Sequence, residues 1–246
     1  EASHLWSLIC KNILSKIFHN YLSTKYKDYK KYFFVIGMGK IGVKDLNFTS
    51  DIDLIIFFDS KNSPYELYEF NKSIKTLIGN ISNISPTFFH KIDLRLRPDL
   101  GNSFIVTDME DAIDYYSSIG RNWERLAFYR SCFLCGDISL YYNFKSSISS
   151  FLFRRSFDYY AIDEVKKLFS VKHESKSLDI KNSYGFIRSC ENILHFNQLL
   201  WSGKFKEIRE NNIHKLFNIL SKHDFIIDPK ELIVVKNAYY FFRRIE

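Results

Sequence analysis

The sequence predicts an α+β fold: a small mixed sheet with flanking helices, followed by an all-α helical bundle. Three observations predict it. Short, strongly apolar runs with strand character are confined to the first hundred residues. Helical periodicity surrounds them. From about Asp137 onward only helical patterning remains. With 46% hydrophobic and 17% aromatic residues in a chain of 246, there is ample apolar surface to close one large core or two smaller ones.

The elements follow in order. Leu5, Leu8, Ile9, Ile13, Ile17, Phe18 and Leu22 recur at helical spacing and predict an N-terminal amphipathic helix. Tyr32 to Ile36 and Ile52 to Phe58 read as strands. A helix is expected from Pro64 to Ile78, with Ser63 as its cap and proline in its first turn. His90 to Arg97 alternates: Ile92, Leu94 and Leu96 face one way and Asp93, Arg95 and Arg97 the other, with Pro98 ending the strand. Thr107 or Asp108 caps a helix through Tyr116, and Asn122 to Cys132 reads as another. Helices are then expected over 138–152, 157–172, 185–202, 205–222 and 229–245. The boundary falls within a soft region near 136–150, giving a first domain over 1–140 and a helical bundle over 141–246. The chain begins without methionine and ends inside a helix-like pattern. We therefore expect one module of a longer protein, its bundle truncated at the C-terminus.

Composition narrows the function classes. The net charge is +7, but Lys and Arg alternate with Asp and Glu almost everywhere and no long basic run exists. We read the charge as lysine spread over solvated faces, which argues against nucleic acid as partner. No apolar stretch approaches membrane-spanning length and no signal peptide is visible, so no membrane association is expected. Cys132 and Cys135 form a lone CxxC with apolar neighbours and no second pair. Buried thiols in a reducing cytoplasm are expected, rather than zinc or redox chemistry. The histidines, His90, His173 and His195 among them, show no paired-ligand spacing.

The informative pair is Asp51 and Asp53. They stand at the head of the apolar run Leu54 to Phe58, just beyond the glycine turn Gly37-Met38-Gly39-Lys40-Ile41-Gly42. Alternation points both carboxylates the same way. Two like charges on one face of an apolar strand repel and are costly to desolvate, and a divalent cation is the usual reason to keep them together. Asp93, on the polar face of the third strand, supplies a third acid if the strands are neighbours. Such a cage suits one or two Mg²⁺ ions gripping substrate phosphates, as in nucleotidyl transfer. The bland alternative for a DxD is a solvated strand end. Glycines would let backbone N–H groups approach phosphate oxygens, with Lys40 as a point charge. Arg95 and Arg97 share the face of Asp93. They either pair with the carboxylates or contact a phosphate.

Gly37, Gly39 and Gly42 also spell GxGxxG after a strand, with Asp59 about twenty residues past Gly39, as in the dinucleotide fingerprint. That fingerprint needs a helix after the glycines and a crossover of about a dozen residues. Only eight residues separate Gly42 from Asp51, so we reject it. A Walker motif is rejected too, because neither Ser nor Thr follows Lys40.

The glycine turn, Asp45-Leu46-Asn47, Ser50-Asp51-Ile52-Asp53-Leu54, Asp93-Leu94-Arg95-Leu96-Arg97-Pro98 and Asn122-Trp123-Glu124-Arg125 together closely resemble the glutamine synthetase adenylyltransferase/adenylyl-removing enzyme family. Asp179-Ile180-Lys181 and Tyr240-Phe241-Phe242-Arg243-Arg244-Ile245-Glu246 extend the likeness nearly to the end. The resemblance implies a nucleotidyltransferase-type first domain followed by a helical domain, and it is stronger to the N-terminal, deadenylylating half of that family. It implies that AMP is moved on or off a tyrosine of glutamine synthetase: from ATP in one direction, and by phosphate with ADP as product in the other. It implies Mg²⁺ at Asp51, Asp53 and Asp93 as the catalytic and metal-binding acids. Gly37, Gly39, Lys40, Ser50, Arg95 and Arg97 are then the candidate nucleotide and phosphate contacts. Lys181, Arg188 and Glu191 are candidates from the second domain, and PII-type signalling proteins are further partners by the same likeness.

The sequence also departs from the family. Two glycines that follow Gly42 there are Val43 and Lys44 here. The glycine-rich loop after Lys181 becomes Asn182-Ser183-Tyr184-Gly185-Phe186-Ile187-Arg188-Ser189-Cys190-Glu191-Asn192, keeping Gly185, Arg188 and Glu191. Two other readings therefore stay open: a non-catalytic regulatory module eroded from such an enzyme, and nucleotidyl transfer to RNA or a small molecule. For Trp123, Glu124 and Arg125, packing and a structural bridge are preferred over substrate contact.

Overall fold

The structure, a computed structural model, describes residues 2–48, 50–84, 91–155 and 185–245, together with residues 163, 167, 180 and 183. Two compact units divide the chain, Glu1–Phe151 and Leu152–Glu246.

In the first unit, helix α1 (Ala2–Ser23) buries Cys10, Leu14, Phe18 and Leu22, a three-to-four-residue stripe. Strand β1 (Phe33–Gly37) is buried at every position and runs into a single-turn helix α2 (Gly39–Gly42). Strand β2 (Ile52–Phe58) is buried except at Asp53. Helix α3 (Leu67–Ile84) starts and ends later than its sequence pattern suggests. Two short strands follow, β3 (Ile92–Asp93) and β4 (Val106–Asp108). Asp108 then caps helix α4 (Met109–Ser118), its side chain accepting from the amides of Glu110 and Asp111. Helix α5 (Asn122–Tyr129), strand β5 (Cys132–Gly136), helix α6 (Ile138–Ser147) and the single turn α7 (Ser149–Leu152) complete the order.

The described strands form a mixed sheet in the order β3-β2-β1-β5, with β4 also pairing to β2. Strand β1 lies antiparallel to both β2 and β5, whereas β3 and β4 run parallel to β2, one along each half of it. One face of the sheet (Phe33, Val35, Ile52, Leu54, Ile56, Phe58) is buried with residues of α1 and α3. On the other face, Phe34 stacks on Phe57 at 4.9 Å between ring centroids, and Phe144 of α6 closes on Phe57 at 4.4 Å. Helix α6 therefore packs on the sheet within the unit Glu1–Phe151.

Two expectations are corrected, and one strand was missed. The strand read over His90 to Arg97 is only Ile92–Asp93 among the described residues. Asp93 accepts the Arg95 amide (2.9 Å) and turns the chain, and Arg97 donates to the carbonyls of Phe104 (2.9 Å) and Leu94 (2.7 Å), not along a strand. The helix read from Asn122 to Cys132 stops at Tyr129, and its last expected residue begins β5. Strand β4 carried no signal that the periodicity reading detected.

The described elements of the second unit are helical. They comprise α8 (Ile187–Trp201), a 3₁₀ turn (Lys206–Arg209), α9 (Ile213–Leu220) and α10 (Pro229–Ile245). Leu194, Ile208, Phe217, Leu220, Leu232 and Tyr239 make its core. Buried Gln198 ties the irregular segment to α8, donating to the carbonyls of Ile208 (2.8 Å) and Glu210 (2.7 Å). The helix expected over 157–172 lies outside the described residues except at 163 and 167. No described helix is long and apolar enough to cross a membrane.

Candidate active site

The register of β2 against β3 builds the site. Ile52 pairs with Ile92 and Asp53 with Asp93, in parallel. Paired residues share a face, so the two isoleucines enter the core and the two acids stand side by side on the opposite face. Asp51 precedes β2 by one residue and is half-buried, as is Asp53; Asp93 is buried.

The glycine turn is fastened to this spot. The Met38 amide donates to the Asp53 carbonyl at 2.8 Å. Gly39 has φ +57°, and a Cβ there would lie 2.6 Å from Asp53 Oδ2. Only glycine accepts both the left-handed backbone and the approaching carboxylate. At Gly42 a Cβ would lie 2.0 Å from the Arg130 carbonyl oxygen, so the turn is wedged between β2 and the α5–β5 junction.

The electrostatics are those of crowded acids. Burial, then the charges of Asp93 and Asp51, push the Asp53 carboxyl from its ordinary 3.8 up to about 6, against the opposing cations Arg130 and Arg95. Asp93 moves the other way, because Arg95 hydrogen-bonds its charged form. Arg95 Nε donates to Asp93 Oδ1 (3.0 Å) and Oδ2 (2.8 Å), and Nη2 also donates to Oδ2.

Not every expected residue joins this group. Gly37 ends β1 opposite Leu54 and Cys132, beneath the turn. Lys40 is half-buried in α2, and Ser50 sits in the loop before Asp51, its amide donating to the Asn47 carbonyl at 3.1 Å. Arg97 is held within its own loop, its Nε and Nη1 donating to the carbonyls of Phe104 and Leu94. Arg188 is exposed and Glu191 half-buried on α8 of the second unit, while Lys181 lies outside the described residues.

Glu124 is buried. Rather than forming the bridge expected within the Trp123-Glu124-Arg125 run, it accepts the Arg121 amide at 2.8 Å and so caps α5. Arg125 is fully buried and donates to Asn122 Oδ1 at 3.1 Å. The cysteines are free, with Cys10, Cys135 and Cys190 buried as expected and Cys132 half-buried. Burial pushes the thiols of Cys10 and Cys135 up to about 11 and about 12, so both are held neutral and unreactive. Arg130 escaped the sequence reading. It stands at the break between α5 and β5, a position that no periodicity marks, yet its charge favours ionised Asp53.

Among the described residues, no three acidic, histidine or cysteine side chains are gathered closely enough to hold a metal ion as they stand. The donor chemistry nevertheless fits Mg²⁺, which takes one or two carboxylates and completes its shell with water and substrate phosphates. Asp53 and Asp93 are adjacent hard-oxygen donors whose mutual repulsion a cation would relieve.

A family model described as Glutamate-ammonia ligase adenylyltransferase matches residues 2–147, which contain the whole of this site. The chain belongs to that family. Curated relatives agree along most of the chain. It is 30% identical over 226 residues to the bifunctional glutamine synthetase adenylyltransferase/adenylyl-removing enzyme of Agrobacterium fabrum, covering 86% of this chain and 23% of that protein. It is 31% identical over 228 residues to the like-named enzyme of Rhizobium meliloti, with the same coverage of each chain. The enzyme of that name from Xanthobacter autotrophicus is 30% identical over 226 residues, again covering 86% and 23%. The chain thus spans about a quarter of the length of these adenylyltransferase relatives.

Proposed function

We propose that this chain is a Mg²⁺-dependent nucleotidyltransferase module acting on glutamine synthetase. In the favoured direction it removes AMP from an adenylylated tyrosine by phosphorolysis. The in-register pair Asp53–Asp93, with Gly39 pressed against Asp53, is the observation that carries this reading. An oxygen of inorganic phosphate attacks the phosphorus of the tyrosine-linked AMP. The bond from phosphorus to the phenolic oxygen breaks, the tyrosine regains a proton and ADP leaves. Addition of AMP from ATP is the same in-line displacement with pyrophosphate as leaving group, so one set of acids serves both.

When bound, the cation would neutralise the charge that builds on the transferring phosphoryl oxygens. The protein's share is positioning. Asp51, Asp53 and Asp93 would hold the cation, Gly39 and Lys40 would lie on the phosphate side, and Arg130 would keep Asp53 ionised. Ser50 stays a candidate in the adjoining loop. The family names of the relatives support glutamine synthetase as the protein acted on. The helical unit is read as the second domain, carrying Lys181, Arg188 and Glu191.

The test is to mix the purified chain with AMP-modified glutamine synthetase, phosphate and Mg²⁺ and to assay ADP. ADP that forms with the native chain and disappears in Asp53→Asn supports the reading. Absence of ADP, and of pyrophosphate release when ATP and unmodified glutamine synthetase are supplied, would leave the eroded regulatory module standing.

A further inference from the structure

Asp93 is gripped by its neighbour two residues on. The Arg95 amide and Nε donate to Oδ1 at 2.9 and 3.0 Å, while Nε at 2.8 Å and Nη2 engage Oδ2. The partners live in opposite surroundings, since the Asp93 side chain is 7% exposed and that of Arg95 is 83% exposed. The acid is fixed by β3 and the sheet, whereas the cation lies in water on a long stem. Its charge also reaches Asp51 and Asp53.

We propose that Arg95 is a displaceable counter-ion: it occupies Asp93 until a divalent cation arrives with its nucleotide, then turns its guanidinium onto the phosphates. This rests on the reading of Asp51, Asp53 and Asp93 as the cation site. Three features separate it from a permanent structural pair. The backbone amide of Arg95 holds Asp93 Oδ1 independently of the guanidinium, so the turn keeps that bond when the side chain leaves. The guanidinium donates to both carboxylate oxygens and takes lone pairs that a cation would need, so metal and guanidinium compete for the same carboxylate. An exposed guanidinium gives up little when it moves, and its planar fork suits a phosphate as well as a carboxylate. Arg97 marks the contrast, its Nε and Nη1 tied to two backbone carbonyls of its own loop.

The experiment titrates Mn²⁺ into the chain and into Arg95→Gln without nucleotide, reading free Mn²⁺ by electron paramagnetic resonance. It then measures ADP binding calorimetrically at saturating Mg²⁺. Arg95→Gln is expected to bind Mn²⁺ roughly threefold or more tightly and MgADP roughly threefold or more weakly, the scale of a partly exposed ion pair. The opposite signs are what a purely structural bridge would not produce. Mn²⁺ affinity that is unchanged or weaker, or MgADP affinity that is unchanged, overturns the proposal. The double variant Asp53→Asn, Asp93→Asn separates the two layers. If it loses Mn²⁺ while Arg95→Gln matches the native chain, only the role of Arg95 falls. If it keeps native Mn²⁺ affinity, the cation-site reading falls with it.

Discussion

Replacing Asp53 with Asn should stabilise the protein above neutral pH while abolishing turnover. The carboxyl is pushed from 3.8 to about 6, by burial first and then by Asp93 and Asp51. Folding therefore favours the protonated form. Between about pH 4 and pH 6 the folded chain keeps a proton that the unfolded chain has released, so stability falls as pH rises through this window. Below pH 4 both states are protonated and the penalty vanishes; above pH 6 it is fully present. A shift of about two units corresponds to about 3 kcal/mol at most. Solvent reaching the half-buried carboxylate reduces this to about 1–2 kcal/mol.

Asn has the same shape and no charge, so Asp53→Asn should gain about that amount at pH 8 and nothing at pH 4. Urea denaturation of both proteins across this range, followed by tryptophan fluorescence, measures the gap from the midpoints at constant slope. Adding Mg²⁺ at pH 8 should narrow it, because only the native acid cluster would bind the ion. An Asn variant less stable than native at pH 8, or a gap that does not shrink on acidification, refutes the account of Asp53 as a repelled, desolvated acid.

Gly39→Ala should cost about 2–3 kcal/mol in the same denaturation assay and displace the Asp53 carboxylate, since the new methyl group meets Oδ2 at 2.6 Å and the backbone stays at φ +57°. Lys44 holds φ +59°, at a position where the family resemblance places glycine. Lys44→Gly should therefore raise stability by about 0.5–1 kcal/mol, read from the urea midpoint. Arg97→Ala should lose about 1–2 kcal/mol by freeing the carbonyls of Leu94 and Phe104, with calorimetric MgADP affinity unchanged.

What was legible in the sequence follows from where each signal resides. Strand β2 was readable because seven consecutive residues are apolar except Asp53, a run that only a central strand buries on both faces. Helix α10 was readable to its ends, with proline in the first turn and basic residues in the last. Residue type narrowed the cap of α4 to Thr107 or Asp108, and Asp108 fills it. Strand β3 misled because Leu94 and Leu96 continue the alternation after the chain has turned. What ends the strand is a side-chain bond of Asp93 to a backbone amide, which no period encodes. Strands β4 and β5 have three and five residues. Their pairing partners define them, not their own pattern. Within the candidate site, spacing pointed to the acids that the sheet register sets side by side, Asp53 and Asp93, and the motif pointed to Gly39. The pressing of Gly39 against Asp53 and the approach of Arg130 depend on tertiary placement and were not legible in the sequence.

The same glycine motif could have served two chemistries, and strand direction separates them. A dinucleotide fold would carry β1 through a helix into a parallel neighbour. Here α2 is one turn long, and β1 meets β2 antiparallel with Gly37 opposite Leu54, which leaves Asp53 just beyond the turn. The strands parallel to β2 are β3 and β4, and at the site two residues of β3 suffice. Ile92 is buried in the core beside Ile52, and that anchor alone turns Asp93 outward next to Asp53. A slip of one residue would drive Asp93 into the apolar layer and expose Ile92. Both the burial of Ile92 and the cost of desolvating a carboxylate oppose that slip. The shortest strand in the sheet thus fixes the third acid, and an apolar residue with no chemistry of its own sets the geometry on which the proposed transfer depends.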